Sequence, residues 1–142
     1  MTKRLIALSL FLLATLLLAA ACSRPSTVRE FFDANASDFQ ELVDEMNNEA
    51  AAISAAAGIE MTIDVEIVGD HTIRLDFVYG PNTEFGPTVE ADLAAEINAM
   101  RSFQVEMARG MRSAMRIDTL YIQMRYLDST GRVLAEGTFA GH

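Results

Sequence analysis

The sequence predicts an α+β domain: two helix-hairpin units that place two helices on one face of a four-stranded antiparallel sheet, after an N-terminal signal segment. Three observations predict it. Apolar residues recur at helical spacing over residues 27–57 and 88–116. They alternate strictly with polar ones over residues 60–79 and 119–140. Clusters of Gly, Pro, Asn and Asp punctuate these four segments. The chain has 142 residues, a length for one domain of ordinary size.

Residues 1–21 read as a targeting segment rather than as part of the fold. Lys3 and Arg4 precede an uncharged run from Leu5 to Ala21, which ends in small residues. Three fates compete: cleavage as an ordinary secretory signal, retention as a single membrane span, or cleavage before Cys22 with lipidation of its thiol. The run sits at the lower edge of what crosses a bilayer, and its small-residue end argues for cleavage.

Residues 22–26 then form a short tether, and residues 27–142 the single α+β domain. Thr27-Val28-Arg29-Glu30 fits a capping box that opens a helix. A second box at Ser37-Asp38-Phe39-Gln40 predicts a break near Asn35 and a longer helix to about Ala57, closed by Gly58. On it Phe39, Leu42, Val43, Met46, Ala50 and Ile53 make one apolar stripe. In the first hairpin a three-residue turn, Gly69-Asp70-His71, pairs Ile67 with Ile73 and Val65 with Leu75; a two-residue turn would set apolar residues beside polar ones.

Thr88 caps the next helix. Val89, Leu93, Ile97, Met100, Phe103, Met107, Met111 and Met115 keep a three-four spacing along it, and Gly110 is the expected bend. The methionines read as core, with an adaptable binding groove as the alternative. A four-residue loop, Asp128-Ser129-Thr130-Gly131, closes the second hairpin and sets Tyr126 against Val133 and Met124 against Ala135.

Charge narrows the function. The chain carries 11 Lys and Arg against 20 Asp and Glu, and Lys3 and Arg4 are the only cations before Cys22, so the remainder is more acidic still. An acidic domain repels phosphate backbones, so nucleic acid is not an expected partner. The inventory for nucleophilic catalysis is poor: His71 lies in a turn, His142 at the end, and no serine sits in a Gly-x-Ser-x-Gly elbow. No enzyme activity is expected, and no metal or cofactor is assigned.

On the polar face of the first hairpin, Asp64 falls opposite Asp76, and Glu66 opposite Arg74. Like charges so placed are destabilising unless neutralised. A divalent cation held by Asp64, Asp76 and Glu66 would neutralise them, as would Arg74 or Arg125. Solvated side chains that splay apart are the simpler reading, and on it Asp76→Asn should raise stability slightly. Arg74, Tyr121, Arg125, Arg132 and Leu134 mark the outward sheet face as a partner surface.

Leu18-Ala19-Ala20-Ala21-Cys22 resembles the lipobox of bacterial lipoproteins, with Ala19 where leucine is commonest. The resemblance implies a diacylglycerol thioether and fatty acyl chain, such as palmitate, at Cys22, and hence a membrane partner through the anchor. It also implies a place on the extracytoplasmic face of the cell membrane. The opening Thr27-Val28, the long second helix and the strand pair YLDSTGRVLAEGTF are similar to small secreted lipoproteins of unknown function from Gram-positive bacteria. That resemblance implies a tethered domain with no assigned catalytic residues. The expectation is a non-catalytic module that binds an envelope protein or peptide; the alternative is a module for a small ligand or divalent cation.

Overall fold

The computed structural model describes residues 26–142. The signal segment and Cys22 lie outside the described residues. Helix α1 spans Val28–Ala34, α2 Ala36–Ala57, α3 Val89–Ala99 and α4 Arg101–Met115; the strands are β1 Met61–Val68, β2 Thr72–Tyr79, β3 Tyr121–Leu127 and β4 Val133–Ala140.

Thr27 caps α1 as its residue type dictates: its Oγ1 accepts from the Glu30 amide at 3.1 Å. Glu30 reaches back one residue further than a capping box requires. Its carboxylate accepts from both the amide and the hydroxyl of Ser26, each at 2.7 Å, and these bonds hold its pKa below the ordinary value. The helix breaks at Asn35, whose side-chain Nδ2 donates to Phe31 O at 2.8 Å and whose backbone amide donates to Phe32 O at 3.1 Å. The second capping box does not form. Asn35 is the N-cap of α2, which starts at Ala36 and so takes Ser37 into its first turn. The far end is as expected, with Gly58 in the left-handed region at φ 70°.

The strands run in the order β1-β2-β3-β4. The first hairpin has the expected register, Val65 opposite Leu75 and Ile67 opposite Ile73. The sheet, however, is mixed and not wholly antiparallel: β2 and β3 pair in parallel, Thr72 beside Tyr121 and Phe77 beside Tyr126. The cause is the connection. Residues 80–120 carry α3 and α4 back along the sheet, so β3 starts at the end where β2 started; a helical crossover of this kind joins parallel strands.

The second hairpin differs from expectation by two residues: Tyr126 faces Ala135 and Met124 faces Gly137. Half of the shift comes from the loop. The Asp128 amide bonds to Arg132 O at 3.0 Å, which leaves three residues in the turn, with Gly131 at φ 85°. The other half is a register irregularity between Tyr126 and Leu127. Without it, the three-residue turn would put Ala135, Gly137 and Phe139 on the wrong face; the bulge restores them to the core.

α2 packs on β1, and α3 and α4 on β4, with α4 also on β3. The core between them holds Met46, Ile63, Ile73, Leu75, Phe77, Met115, Tyr126 and Phe139, all under 2 % exposed. Phe77 and Tyr126 stack at 5.2 Å between centroids. The single long helix expected over residues 88–116 breaks at Met100, not at Gly110. Its buried stripe continues through Gln104, Ala108, Met111 and Met115, which leaves Phe103 44 % exposed and Met107 half-buried. Helical geometry allows either a three- or a four-residue step after Met100; the chain takes the step of four, to Gln104, although Phe103 is the more apolar side chain.

Candidate functional site

Among the described residues every helix lies on one side of the sheet and nothing covers the other. β1 contributes Asp64 and Glu66 to it, β2 Arg74 and Asp76, β3 Tyr121, Gln123 and Arg125, and β4 Glu136 and Thr138, because successive strand residues alternate between faces. The register brings Asp64 opposite Asp76, Glu66 opposite Arg74, Asp76 beside Arg125 and Arg125 beside Glu136.

The like-charged pair is neutralised from within. Arg125 grips Asp76 with both ends of its guanidinium, Nε to Oδ1 at 2.8 Å and Nη2 to Oδ2. Arg74 Nε stands 3.5 Å from Asp76 Oδ2, while its Nη2 pairs with Glu66. The three side chains are only 14–22 % exposed. The hydrogen bond to Asp76 outweighs burial and holds the Arg125 pKa above its ordinary value. Asp64 is exposed. Among the described residues no three or more His, Cys, Asp or Glu side chains are gathered as a metal site.

Of the residues expected to form a partner surface, the structure brings Arg74, Tyr121 and Arg125 onto this face. Arg132 is elsewhere, in the β3-β4 turn, paired with Glu90 at 3.0 Å and Asp128 at 3.2 Å. Leu134, at the bulge, is buried. His71 and His142 are exposed, and the His71 carbonyl accepts from the Tyr121 amide at 2.8 Å.

A second feature escaped sequence reading. Between the C-terminal end of α2, the start of β1 and residues 82–84 lies a cavity of about 860 Å³. Ser54 lines it and is 3 % exposed; its hydroxyl has no hydrogen-bond partner, and neither does the enclosed Thr83 hydroxyl. The one signal in the sequence was the spacing of Ser54 four residues beyond Ala50 on the apolar stripe. A serine at such a position is polar where the pattern asks for an apolar residue.

Comparison with protein families matches residues 35–139 to the domain of unknown function DUF4854. Among curated proteins and among solved structures the comparison finds no match. The matched stretch begins at the N-cap of α2 and ends within β4, so it contains the whole sheet face, up to Phe139, and the cavity.

Proposed function

The chain belongs to the DUF4854 family, whose function is unknown, and from its own lipobox-like run and sheet face we propose that it is a lipoprotein of a Gram-positive envelope, anchored through Cys22, whose domain binds a protein or peptide without catalysing a reaction. The observation that carries the binding role is the bare sheet face with its clasped Arg74-Asp76-Arg125 group. Each guanidinium is already held by a carboxylate, so little side-chain entropy is left to lose when a partner docks. Tyr121 at the edge of the same face adds apolar area and a hydroxyl, the combination enriched in protein interfaces.

Four strands of seven or eight residues present on the order of 400–500 Å². That is less than one side of a standard interface, so the contact is transient or extends onto the turns. Envelope placement rests on the lipobox-like run at Leu18 to Cys22.

One experiment tests both parts. The full chain and Cys22→Ser are expressed in a Gram-positive host, and intact mass and membrane partition are measured. In parallel, a photo-crosslinking residue replaces Gln123, at the centre of the bare face. The proposal expects a lipid mass and membrane retention that Cys22→Ser lacks, and a discrete crosslink from position 123 that Arg125→Glu abolishes. Cleavage to an unmodified soluble chain sinks the anchor; a crosslink pattern indifferent to Arg125 sinks the binding face.

A further inference from the structure

The two edges of the sheet differ in what covers their backbone. On β1 the ladder fixes which groups point outward: the Gly80 amide bonds to Glu60 O at 2.8 Å, so Met61, Ile63, Val65 and Ile67 turn their N–H and C=O away from β2. Side chains occupy that row. Asn47, on α2, meets Ile63 as a neighbouring strand would: its Nδ2 donates to Ile63 O at 2.7 Å and its Oδ1 accepts from the Ile63 amide at 2.8 Å. Arg29 Nη2 donates to Ile67 O at 2.9 Å. β1 therefore has no continuous run left for another strand to pair with.

β4 is the opposite case. The Gly141 amide bonds to Leu120 O at 3.0 Å, which puts Ala135, Gly137 and Phe139 in the ladder with β3 and turns the backbone of Glu136, Thr138 and Ala140 outward. Among the described residues no hydrogen bond beyond the ladder reaches these three. Glu136 and Thr138 are exposed, and so is Val133 at the start of the strand.

We infer that the β4 edge binds an extended peptide with basic side chains, which joins the sheet as a fifth strand. Backbone bonds at Glu136, Thr138 and Ala140 hold it, and charge selects it. Across the strands Asp76, Arg125 and Glu136 stand side by side with alternating sign, and a cation beyond Glu136 continues the row. Arg125 is held by Asp76, and among the described residues Glu136 forms no ion pair. A second copy is the poorer occupant. Two β4 edges paired antiparallel in the registers of greatest overlap set Glu136 opposite or diagonal to its own copy, and each chain carries a net charge of −9. The inference rests on the binding role proposed above but not on the anchor. A crosslink from Gln123 reports the face and the β4 amides report the edge, so either can fail alone.

The test titrates the full chain, in a neutral maltoside detergent, with a capped hexapeptide alternating lysine and valine. Two control peptides carry glutamate in place of lysine, or N-methyl groups on every amide. Calorimetry follows binding, and NMR hydrogen exchange locates it. The expected result is saturable binding of the lysine peptide with slowed exchange at the Glu136, Thr138 and Ala140 amides. The glutamate peptide should bind about tenfold more weakly, and the N-methylated one not at all. Thr138→Pro removes an amide that points away from β3, so it should abolish binding while the Gly137 and Phe139 amides stay protected. Glu136→Gln should weaken binding severalfold at unchanged stability. Binding of the N-methylated peptide, full affinity in Glu136→Gln, or no saturation at millimolar peptide overturns the inference. Slowed exchange of the same amides with rising protein concentration and no peptide also overturns it, in favour of a second copy.

Discussion

Replacing Asp76 by asparagine tests how the bare sheet face is held together. The substitution removes one negative charge from between two guanidinium groups and puts an NH₂ where Arg125 expects an acceptor, so one arm of the bidentate pair becomes donor against donor. Hydrogen bonds to a charged group contribute about 1.5–3 kcal/mol each way they are counted. Against this stands relief of the cross-strand repulsion from Asp64, a few tenths to about 1 kcal/mol. The balance is a loss of about 1–2 kcal/mol, or roughly 5 °C in Tm for a domain of this size.

Asp64→Asn is the internal control. Asp64 is exposed and faces the same repulsion, so its removal should leave stability unchanged or raise it by up to ~0.5 kcal/mol. Urea unfolding followed by circular dichroism measures both. A double-mutant cycle of Asp76→Asn with Arg125→Gln should show coupling of at least ~1 kcal/mol. If Asp76→Asn proves as stable as the unaltered protein, or if the two aspartates respond alike, the clasp contributes nothing and the face is a set of independent solvated charges.

Three further predictions follow from single contacts. Tyr126→Phe should stabilise the protein by about 1 kcal/mol, because the Tyr126 hydroxyl is buried without a partner; an unchanged or lower urea midpoint would show that the hydroxyl is satisfied in solution. Burial drives the Tyr126 pKa far above the usual tyrosine value and that of Tyr79 to about 12. Spectrophotometric titration that finds neither of these two phenols ionised at the ordinary tyrosine value checks the same burial. Gly137→Ala should cost about 1–3 kcal/mol, since its Cβ would lie 2.5 Å from Ile97 Cγ2 and push α3 off β4; a neutral melt would refute that packing. Asp128 accepts from the Thr130 hydroxyl and amide and from the Arg132 amide, and its pKa falls to about 2. A lowered folded-state pKa stabilises the turn above the unfolded value near 4, and that contribution fades as pH drops through about 2. Carboxyl NMR titration should show this midpoint, and Thr130→Ala should raise it.

What could be read from the sequence was whatever depends on neighbours in sequence. The first hairpin was legible to the residue because alternation on both strands admits one turn length, and that register alone placed Asp64 against Asp76. The parallel junction was not legible: nothing in β2 or β3 separately records which way its partner runs, and the direction is set by residues 80–120 crossing the sheet. The same limit explains Asp76. Its neutralising Arg125 is 49 positions away and becomes its neighbour only through that parallel pairing, so local reasoning expected Asp76→Asn to stabilise whereas the structure expects the reverse. The β4 register failed for a subtler reason. A four-residue loop without a bulge and a three-residue loop with one place the same residues on the same face, and hydrophobic pattern cannot distinguish them. Ser54 keeps the spacing of the stripe, but among alanines it reads as one more small residue that packs, and nothing local records that residues 82–84 lie beside it.

The proposed anchor would also set the sheet face and the cavity beside Met61 in a definite relation to a membrane. The chain enters the domain at the β1-β2 turn: the Val28 amide bonds to Asp70 O at 2.9 Å, and Arg29 Nε to Gly69 O at 2.9 Å. Cys22 is six residues before Val28, so a lipid on it, as proposed, could stand at most about 20 Å from that point. The cavity is at the opposite end of β1, beside Met61, some 25 Å further along an eight-residue strand. On that proposal the anchor would turn the Asp70 end of the sheet toward the lipid and the cavity end away from it. Fluorescent labels at Asp70→Cys and at Asn82→Cys, on chains whose only other cysteine is Cys22, distinguish the two ends in vesicles with spin-labelled headgroups. Quenching should be strong at position 70 and weak at position 82. Equal quenching would mean that the domain lies flat on the bilayer, with the tether and not the fold deciding which surface a partner can reach.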